Sequence, residues 1–414
     1  MPRSMAAVDA QMLWMSAKVP NDQFLLFAFD GSPARVPDAV DEMRRRAQSC
    51  SELGLRVVDD SAWRYPRWQT GPIGADQFLT HPGGHGWPEC LDAVTGQARD
   101  QLDLRRMSWR VHVFPDVHDI PIAGTGAVVV VQIAHALGDG RRSAALAGAL
   151  LGRHGAVPAV VAQRRGWLPA RTVAAWRAHR RLLHDIETGA VSPPAPSRPL
   201  LSINDSPRGD PVVQTLVVRR EQLSVPTVTI AALSAISEAL SGYLADRGED
   251  PAWLGAEVPM AGAGNGHAHN DFRNVGVGLH VAVDREQRAR LIADELAAHR
   301  RRGEYPAMRT ASAAFAATPA ALLRWGTGKF DPAARVAAVS GNTVVSSVNR
   351  GAADLSFGGA PVVFTAGYPA LSPMMSLTHG VHGLGEHVAL SVHADPVNVD
   401  VDDYVDRLRV AIGR

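Results

Sequence analysis

VVVVQIAHALGDGRRSAAL, residues 128–146, is the stretch that decides the fold. Its short, continuous and β-branched run Val128–Ile133 predicts a central strand with both faces covered. Gly138 and Gly140 break that strand, and the composition of Arg141–Leu151 is typical of a helix. The stretch therefore predicts a strand, a turn and a helix in succession.

One histidine stands where this predicted strand ends. His135 is expected at the edge of a layer, with Asp139 one turn away. A histidine in such a place can act as a general base because its pKa lies near neutrality. A purely structural alternative stays open, in which His135 satisfies a buried backbone carbonyl and Asp139 caps the helix. His-x-x-x-Asp-Gly alone is a weak motif, so the rest of the chain has to decide.

Length and composition set the broad class. A chain of 414 residues suggests two domains. A hydrophobic content of 46% with 20% charged residues is typical of a folded soluble protein. The net charge of +1 gives no argument for nucleic-acid binding. Two cysteines, Cys50 and Cys90, make neither a disulfide framework nor a metal cluster, and they fit a reducing cytoplasm. We expect no signal peptide and no uninterrupted apolar run long enough to span a bilayer.

The order of the elements predicts an α/β protein in two parts. Gly189–Pro199 (GAVSPPAPSRP) is the clearest linker, because Pro-rich segments are extended spacers. We place an N-terminal domain at 1–188, a linker at 189–200 and a C-terminal domain at 201–414. Further strands are expected at Phe24–Phe29, Leu55–Val58, Trp109–Phe114, Val212–Val218, Trp253–Met260, Asn274–Val283, Asn342–Val348, Pro361–Phe364 and His387–His393. Helices are expected at Pro37–Leu53, Cys90–Gln101, Arg171–His184, Thr227–Ala245, Asp284–Arg301, Ala307–Trp325 and Val401–Ile412, and a loop at Trp63–Trp87.

Several chemistries are excluded by missing motifs. The sequence has no Gly-x-Ser-x-Gly nucleophile elbow, no Gly-Lys-Ser/Thr phosphate loop and no His-Glu-x-x-His zinc helix. Gly262–Asn270 (GAGNGHAHN) contains Gly-x-Gly, but no strand-to-helix context supports dinucleotide binding. Four histidines near the C-terminus do not predict a metal site, because no cysteine accompanies them and the last two belong to an alternating strand; they are His379, His382, His387 and His393. The remaining chemistry is a base-driven reaction in which His135 takes a proton from an acceptor attacking an activated donor.

At this point the chain resembles a known family. His135-x-x-x-Asp139-Gly140 after a strand is similar to the active-site motif of condensation-domain-type CoA-dependent acyltransferases. More specifically, the chain resembles the bacterial wax ester synthase/acyl-CoA:diacylglycerol acyltransferase family. The companion segments run in the family's order over nearly the whole chain: Val8-Asp9-Ala10 with Leu13-Trp14, Leu102-Asp103 through Arg106 to Trp109, Val258-Pro259-Met260, Asn274, and Val345-Ser346-Ser347-Val348.

The sequence also departs from the family's pattern. Ala134 replaces the first histidine of the usual His-His-x-x-x-Asp-Gly, and Met107-Ser108 replace Pro-Leu. Thr229-Ile230 stand where the family has an Asn-Asp pair at the start of a second-domain helix, and Ser347 stands where Asn is usual. Catalysis then depends on His135 as the one histidine of the motif.

The resemblance implies an α/β (α+β) fold of two chloramphenicol-acetyltransferase-like, mixed-sheet domains with a channel between them. Acyl-CoA and the acceptor would meet there at His135, the catalytic base. Asp139 would orient the loop through an arginine, for which Arg106, Arg141 and Arg142 are alternatives. Gly140 would let the helix pack closely against the strand before it.

Substrate contacts are expected from Arg106, Trp109, Asn274 and Ser346, although Asn274 and Ser346 are equally well explained as polar residues that pair strand ends. The predicted function is transfer of a fatty acyl group from acyl-CoA to the hydroxyl of a long-chain alcohol or diacylglycerol. The alternatives are acylation of a specialised metabolite's hydroxyl or amine, and a non-catalytic homologue that binds acyl-CoA or lipid. No metal, no cofactor beyond the co-substrate acyl-CoA and no nucleic acid are expected. The expected location is the cytoplasm, with peripheral contact to the inner membrane or a lipid-droplet surface as an open alternative.

Overall fold

The computed structural model describes residues 3–155, 157–161, 166–223, 226–262 and 266–413. Residues 263–265 of the predicted Gly/His/Asn loop therefore lie outside the described residues. The strands are Arg3–Ser4 (β1), Gln23–Phe29 (β2), Leu55–Val58 (β3), Arg67–Thr70 (β4), Phe78–Thr80 (β5), Trp109–Ile120 (β6), Gly124–Ile133 (β7), Val212–Arg219 (β8), Gly255–Ala261 (β9), Phe272–Gly278 (β10), Thr343–Asn349 (β11), Ser356–Phe357 (β12), Ala360–Gly367 (β13), Leu377–Leu384 (β14) and His387–Ala394 (β15). The helices are Ala7–Ser16 (α1), Val36–Ser49 (α2), Trp87–Gln97 (α3), Gly140–Leu150 (α4), Leu168–Glu187 (α5), Val228–Ala245 (α6), Arg285–Glu304 (α7), Pro306–Ala316 (α8), Ala320–Lys329 (α9) and Val401–Gly413 (α10).

A six-stranded sheet organises the first half of the chain, in the order β12-β13-β2-β7-β6-β5. Strand β7 lies in its interior, and Val128–Ile133 is buried along its whole length. Its neighbours β2 and β6 both run antiparallel to it, whereas β5 and β6 are parallel, so the sheet is mixed. The predicted central strand is confirmed, and it ends two residues before His135.

A second six-stranded sheet organises the other half, in the order β10-β9-β11-β14-β15-β8. Here β11 pairs in parallel with both β9 and β14, and the remaining pairs are antiparallel. Helices α6 and α10 cover one face, where the rings of Tyr243 and Tyr404 meet edge to face at 5.7 Å. The mixed α/β architecture with two mixed sheets is the one that the sequence predicts.

The predicted boundary at residues 189–200 does not separate the two sheets cleanly. Residues 190–197 have no regular secondary structure, as expected of a linker. However, β12 and β13 come from the second half of the chain and complete the first sheet, where β13 pairs with β2. The crossing strand β13 therefore joins the two halves, and the N-terminal sheet is made of residues from both.

Four local predictions are corrected by the structure. Trp63–Trp87 is not one loop, because it contains β4 and β5. Ala307–Trp325 forms two helices, α8 and α9, with Pro319 at the N-cap of α9. Strand β14 is absent from the sequence prediction. Helix α5 extends beyond the predicted Arg171–His184 at both ends, and Leu182 is the only described side chain on it that is buried.

Among the described helices, α6 alone has the length and apolar composition of a membrane span. Its apolar residues are interrupted by Ser234, Ser237 and Glu238, so α6 does not contradict the expectation that no uninterrupted apolar run is long enough. The helix is 67% buried inside the protein and packs in the core of the second half with side chains such as Leu240 and Tyr243. Burial of this kind is typical of a central helix of a folded core.

Candidate active site

A single turn carries the chain from β7 into α4. Residues His135–Leu137 form a 3-10 turn directly after the strand, and α4 begins at Gly140. Asp139 is the N-cap of α4, and its Oδ1 accepts from the backbone N–H groups of Arg141 at 3.1 Å and Arg142 at 3.0 Å. Such a cap satisfies donors that the first helical turn leaves free. The strand end and the capped helix thus fix the position of His135 between them.

Asp139 also ties this turn to the second half of the chain. Its Oδ2 accepts from the backbone N–H of Asp271 at 3.1 Å, and its own N–H donates to His269 O at 3.2 Å. The sequence predicts an arginine as the side-chain partner of Asp139. This prediction is wrong, because no ion pair joins Asp139 to an arginine within the described residues. Instead, Arg142 supports the turn directly: its Nε donates to Leu137 O at 3.1 Å.

Asn270 fixes the protonation of the histidine. Its Nδ2 donates to His135 O at 2.7 Å and to Asp9 Oδ1 at 3.3 Å. Because both neighbours are acceptors, the amide nitrogen faces them and the amide oxygen faces the imidazole. Asn270 Oδ1 then accepts from His135 Nδ1 at 2.8 Å. The proton therefore resides on Nδ1, and Nε2 keeps its lone pair as a base.

The Asp9 carboxylate holds Asn270 in place. Asp9 is completely buried near the start of α1. Its Oδ2 accepts from the backbone N–H and Nδ1 of His269, both at 3.0 Å, and its Oδ1 accepts from the backbone N–H of Asn270 at 3.0 Å. A carboxylate with several hydrogen-bond donors is a rigid anchor. Asp9, Asn270 and His135 thus form a chain from the first helix to the base.

A buried ion pair lies behind this chain. Arg142 Nη2 donates to Glu52 Oε2 at 2.5 Å, and Arg3 Nη2 lies 3.2 Å from Glu52 Oε1. Burial acts to raise the pKa of Glu52, but His269 and the guanidinium groups of Arg142 and Arg3 outweigh it and lower the pKa to about 2. Glu52 is therefore ionised at neutral pH, and it holds Arg142 against the turn.

Burial also governs His135 itself. It lowers the pKa of the imidazole from its ordinary value, although the hydrogen bond to Asn270 and the carboxylates of Asp139 and Asp9 act in the opposite direction. The imidazole is consequently neutral at pH 7. The Phe272 ring packs at 5.3 Å between ring centroids. A neutral histidine with Nε2 free is a competent proton acceptor.

A cavity of about 570 Å³ opens in front of the base, between the two sheets. His135, Asp139 and Gly140 line it from the first half, and Asn274 and Ser346 line it from β10 and β11. Five predicted site residues are therefore brought together. The amide of Asn274 also lies 3.3 Å from Glu257 Oε2. The volume is that of a pocket for a small organic ligand or part of a larger one.

Two predicted substrate contacts are corrected. Trp109 is 0% exposed, and its Nε1 donates to Leu53 O at 2.7 Å inside the first core, so its side chain does not reach the cavity. Arg106 lies on the surface, with its Nη2 at 3.7 Å from Asp76 Oδ2. Both belong to the segment that resembles the family, and the structure gives Trp109 a packing role.

A close approach is present at Gly140, but to a strand of the second sheet and not to the preceding strand β7. A Cβ on Gly140 would lie 3.0 Å from Val348 Cγ2 on β11, which is tighter than an ordinary contact. The start of α4 therefore touches a strand of the second sheet. No group of three or more His, Cys, Asp or Glu residues within the described ranges is arranged to hold a metal ion.

The sequence prediction missed Asn270, His269 and Asp271, and it used Asp9 only as part of a resemblance. Asn270 is the last residue of the loop Gly262–Asn270, whose sequence context does not support dinucleotide binding. A polar Asn-Asp pair directly before an apolar strand was the available signal. Its partners lie 135 and 261 positions away, so no local pattern links them.

Comparisons with known proteins come from structure alone. No protein-family model matches the sequence, and no curated protein sequence matches it significantly. The wax ester synthase/diacylglycerol acyltransferase from Marinobacter aquaeolei VT8 matches with a TM-score of 0.61 and 18% identity, over 99% of this chain and 98% of its own. The first condensation domain of the CDA synthetase matches with a TM-score of 0.60 and 14% identity, over 100% and 96%.

A third match carries ligands. A variant of the starter condensation domain of rhizomide synthetase RzmA, in complex with C8-CoA and Leu-SNAC, has a TM-score of 0.57 and 14% identity, over 100% of this chain and 93% of its own. The chain therefore has the two-domain, chloramphenicol-acetyltransferase-like fold of these matched structures. The fold expected from the sequence resemblance is confirmed.

Proposed function

We propose that this protein transfers an acyl group from acyl-CoA to a hydroxyl group, with His135 as general base. The observation that carries the proposal is the hydrogen bond from His135 Nδ1 to Asn270 Oδ1 at 2.8 Å. It fixes the tautomer that a base requires, with Nε2 free beside a cavity of about 570 Å³. An activated thioester needs only a base, alignment and stabilisation of charge.

The proposed reaction proceeds in two steps. His135 Nε2 takes the proton of the acceptor hydroxyl while its oxygen forms a bond to the thioester carbonyl carbon, which gives a tetrahedral oxyanion. The carbon–sulfur bond then breaks, and the imidazolium returns the proton to the departing CoA thiolate. Asn274 and Ser346 line the cavity with a donor each and are our proposed stabilisers of the oxyanion. Asp139 and Gly140 act on the position of the base.

The proposed substrates are a fatty acyl-CoA and a long-chain alcohol or diacylglycerol. The match to a wax ester synthase/diacylglycerol acyltransferase supports this choice. The second candidate is acylation of a specialised metabolite's hydroxyl or amine, which the matches to condensation domains favour. The third candidate is a non-catalytic protein that binds acyl-CoA or lipid. Simple binding does not require the fixed tautomer of His135.

Release of free CoA from octanoyl-CoA and palmitoyl-CoA tests the proposal, with hexadecanol, dioleoylglycerol and an amine as acceptors. We expect turnover with an alcohol and a loss of about 10²- to 10⁴-fold in His135→Ala, the usual contribution of a general base. Turnover that survives in His135→Ala would contradict the assignment of the base. Binding of acyl-CoA without turnover on any acceptor would support the non-catalytic alternative.

We further propose peripheral contact with an anionic lipid surface through α5. The helix exposes Trp176 at 57%, and four arginines accompany it along the helix: Arg171, Arg177, Arg180 and Arg181. Basic helices with exposed aromatic residues bind at lipid interfaces. Cosedimentation with phosphatidylglycerol vesicles, but not with phosphatidylcholine vesicles, is expected. Equal cosedimentation of wild type and Trp176→Ala would contradict the contact.

A further inference from the structure

An arginine lines the same cavity without an acidic partner. Arg350 follows β11 and is only 5% exposed, yet it belongs to the cavity wall that also includes His135. Within the described residues, no carboxylate lies within ion-pair distance of it. A buried guanidinium without a counter-charge is costly, because charges in protein interiors are normally paired.

Neutral groups hold one end of this guanidinium. Arg350 Nη1 donates to Ala366 O at 2.8 Å and to Thr365 Oγ1, and the Thr365 hydroxyl donates in turn to Leu26 O at 2.7 Å. The other two nitrogens make no hydrogen bond to the described residues: Nε is shielded from solvent, which leaves Nη2 as the donor for a ligand in the cavity. An arginine N–H at a cavity wall is a charge-assisted donor to an oxyanion.

Two glycines make room for the Arg350 and His382 side chains. A Cβ on Gly367 would lie 2.7 Å from Arg350 Nη2, and a Cβ on Gly380 would overlap Gly367 O and lie 2.7 Å from His382 Cε1. His382 is buried beside Arg350 and lines the same cavity, and its Nδ1 has no hydrogen-bond partner. Burial, with a contribution from Arg350, lowers the pKa of His382, so this histidine is neutral and offers one N–H.

The distance from the base follows from strand register. Arg350 Nη1 bonds to Ala366, which pairs with Leu26 on β2, whereas Ile133 at the end of β7 pairs with Gln23. Three residues of strand, at about 3.3 Å each, separate these two points of the register by about 10 Å along β2. Arg350 and His135 therefore lie at separate positions along the same cavity, where one bound substrate can contact both.

We propose that Arg350, with His382 beside it, binds an anionic oxygen group on the acceptor substrate, so that the protein acylates a hydroxy acid or a similarly charged alcohol. The proposal rests on the acyl transfer proposed above and assigns it a charged acceptor in place of a neutral long-chain alcohol or diacylglycerol. A carboxylate and a phosphate ester share the required chemistry, and CoA itself carries phosphates. The test therefore separates an anion on the acceptor from an anion on the donor.

The probe is 8-hydroxyoctanoate, compared with its neutral methyl ester, in the CoA-release assay with the full chain. In the wild type we expect kcat/KM to be about 10- to 100-fold higher for the acid, the usual value of a charge-assisted hydrogen bond. Arg350→Gln should abolish this preference by raising KM for the acid, and Arg350→Lys should keep part of it. Arg219→Gln, which removes an exposed arginine on β8, is the matched control.

Each outcome decides the proposal. Equal kcat/KM for acid and ester in the wild type would overturn it, as would an unchanged preference in folded Arg350→Gln. A rise in KM for acyl-CoA alone would assign Arg350 to a CoA phosphate and overturn it as well. A purely structural role would lower the melting temperature and reduce both activities equally.

A wild-type measurement covers the case in which Arg350→Gln does not fold. We expect 8-hydroxyoctanoate, and not its methyl ester, to raise the melting temperature of the wild type at equal concentration. Equal shifts would overturn the anion site. This binding measurement needs no turnover, so failure of the acyl-transfer proposal and failure of the anion site give different results.

Discussion

Replacement of Asn270 by alanine tests the link between structure and catalysis most directly. The change removes the acceptor for His135 Nδ1 and the donor to His135 O, which are bonds of 2.8 and 2.7 Å. Without them the imidazole is free to rotate and to carry its proton on Nε2, where it cannot act as a base. Each lost hydrogen bond is worth about 0.5–1.5 kcal/mol. The two bonds together are therefore worth about 1–3 kcal/mol. Since about 1.4 kcal/mol corresponds to a tenfold change in rate, we expect kcat to be about 10- to 100-fold lower.

The assay is steady-state CoA release by four proteins: wild type, Asn270→Ala, His135→Ala and the double variant. If Asn270 acts through His135, its removal costs nothing more once His135 is gone, so the two effects are strongly non-additive. KM for acyl-CoA should change little in Asn270→Ala. The reasoning would be refuted if Asn270→Ala reduced kcat by the same factor in the wild-type and His135→Ala backgrounds.

Three further predictions concern the same region. Burial lowers the pKa of His135 from 6.5, and the neutral imidazole is the active form of the base. At pH 6.5, kcat/KM should therefore exceed half of the plateau value that it reaches at higher pH. A fall of kcat/KM with its midpoint above pH 6.5 would contradict this. Gly140→Ala should lower the free energy of unfolding, measured with urea, by about 1–3 kcal/mol, because the new methyl group meets Val348. Adding Val348→Ala should restore part of this loss. If the effects of the two substitutions simply add, the contact is not the cause. Burial raises the pKa of Asp22 from 3.8 to about 6, so the folded protein binds a proton that the unfolded chain has lost, and stability falls as pH rises through that window. Asp22→Asn should therefore stabilise the protein by up to about 3 kcal/mol at pH 7 and less at pH 4.5, and an equal gain at both pH values would contradict it.

Local patterns account for what could be predicted from the sequence. Val128–Val131 and Ile133 are β-branched and apolar, which suits a central strand, and Asp139 has the side chain and spacing of an N-cap. The position of His135 follows from these two elements alone. Gly140 was also predictable as a point of close approach, although the sequence did not show that Val348 would be its neighbour.

The remaining parts of the site depend on contacts between distant segments. Asp9 and Asn270 are 261 positions apart, and neither belongs to a periodic pattern that points to the other. Trp109 was assigned to substrate because its segment resembles the family, but an aromatic residue at a strand start is as well suited to the core. The crossing strand β13 could not be assigned to the first sheet, because edge pairing with β2 leaves no signal in either strand's sequence.

These distant contacts divide the site into two parts with different tasks. The base is positioned by one rigid network in which Asp9, Asn270 and Asp139 use nearly all their polar atoms on protein partners. The opposite wall is different, since Ser346 and Arg350 carry polar groups that the described residues leave free. Groups already bonded within the protein cannot select a ligand, whereas free groups in a cavity gain most when a ligand satisfies them. Changes at Arg350, the residue after β11, should therefore alter which acceptor is used, and changes in the Asp9 network or at Ser346 should alter the rate with every acceptor.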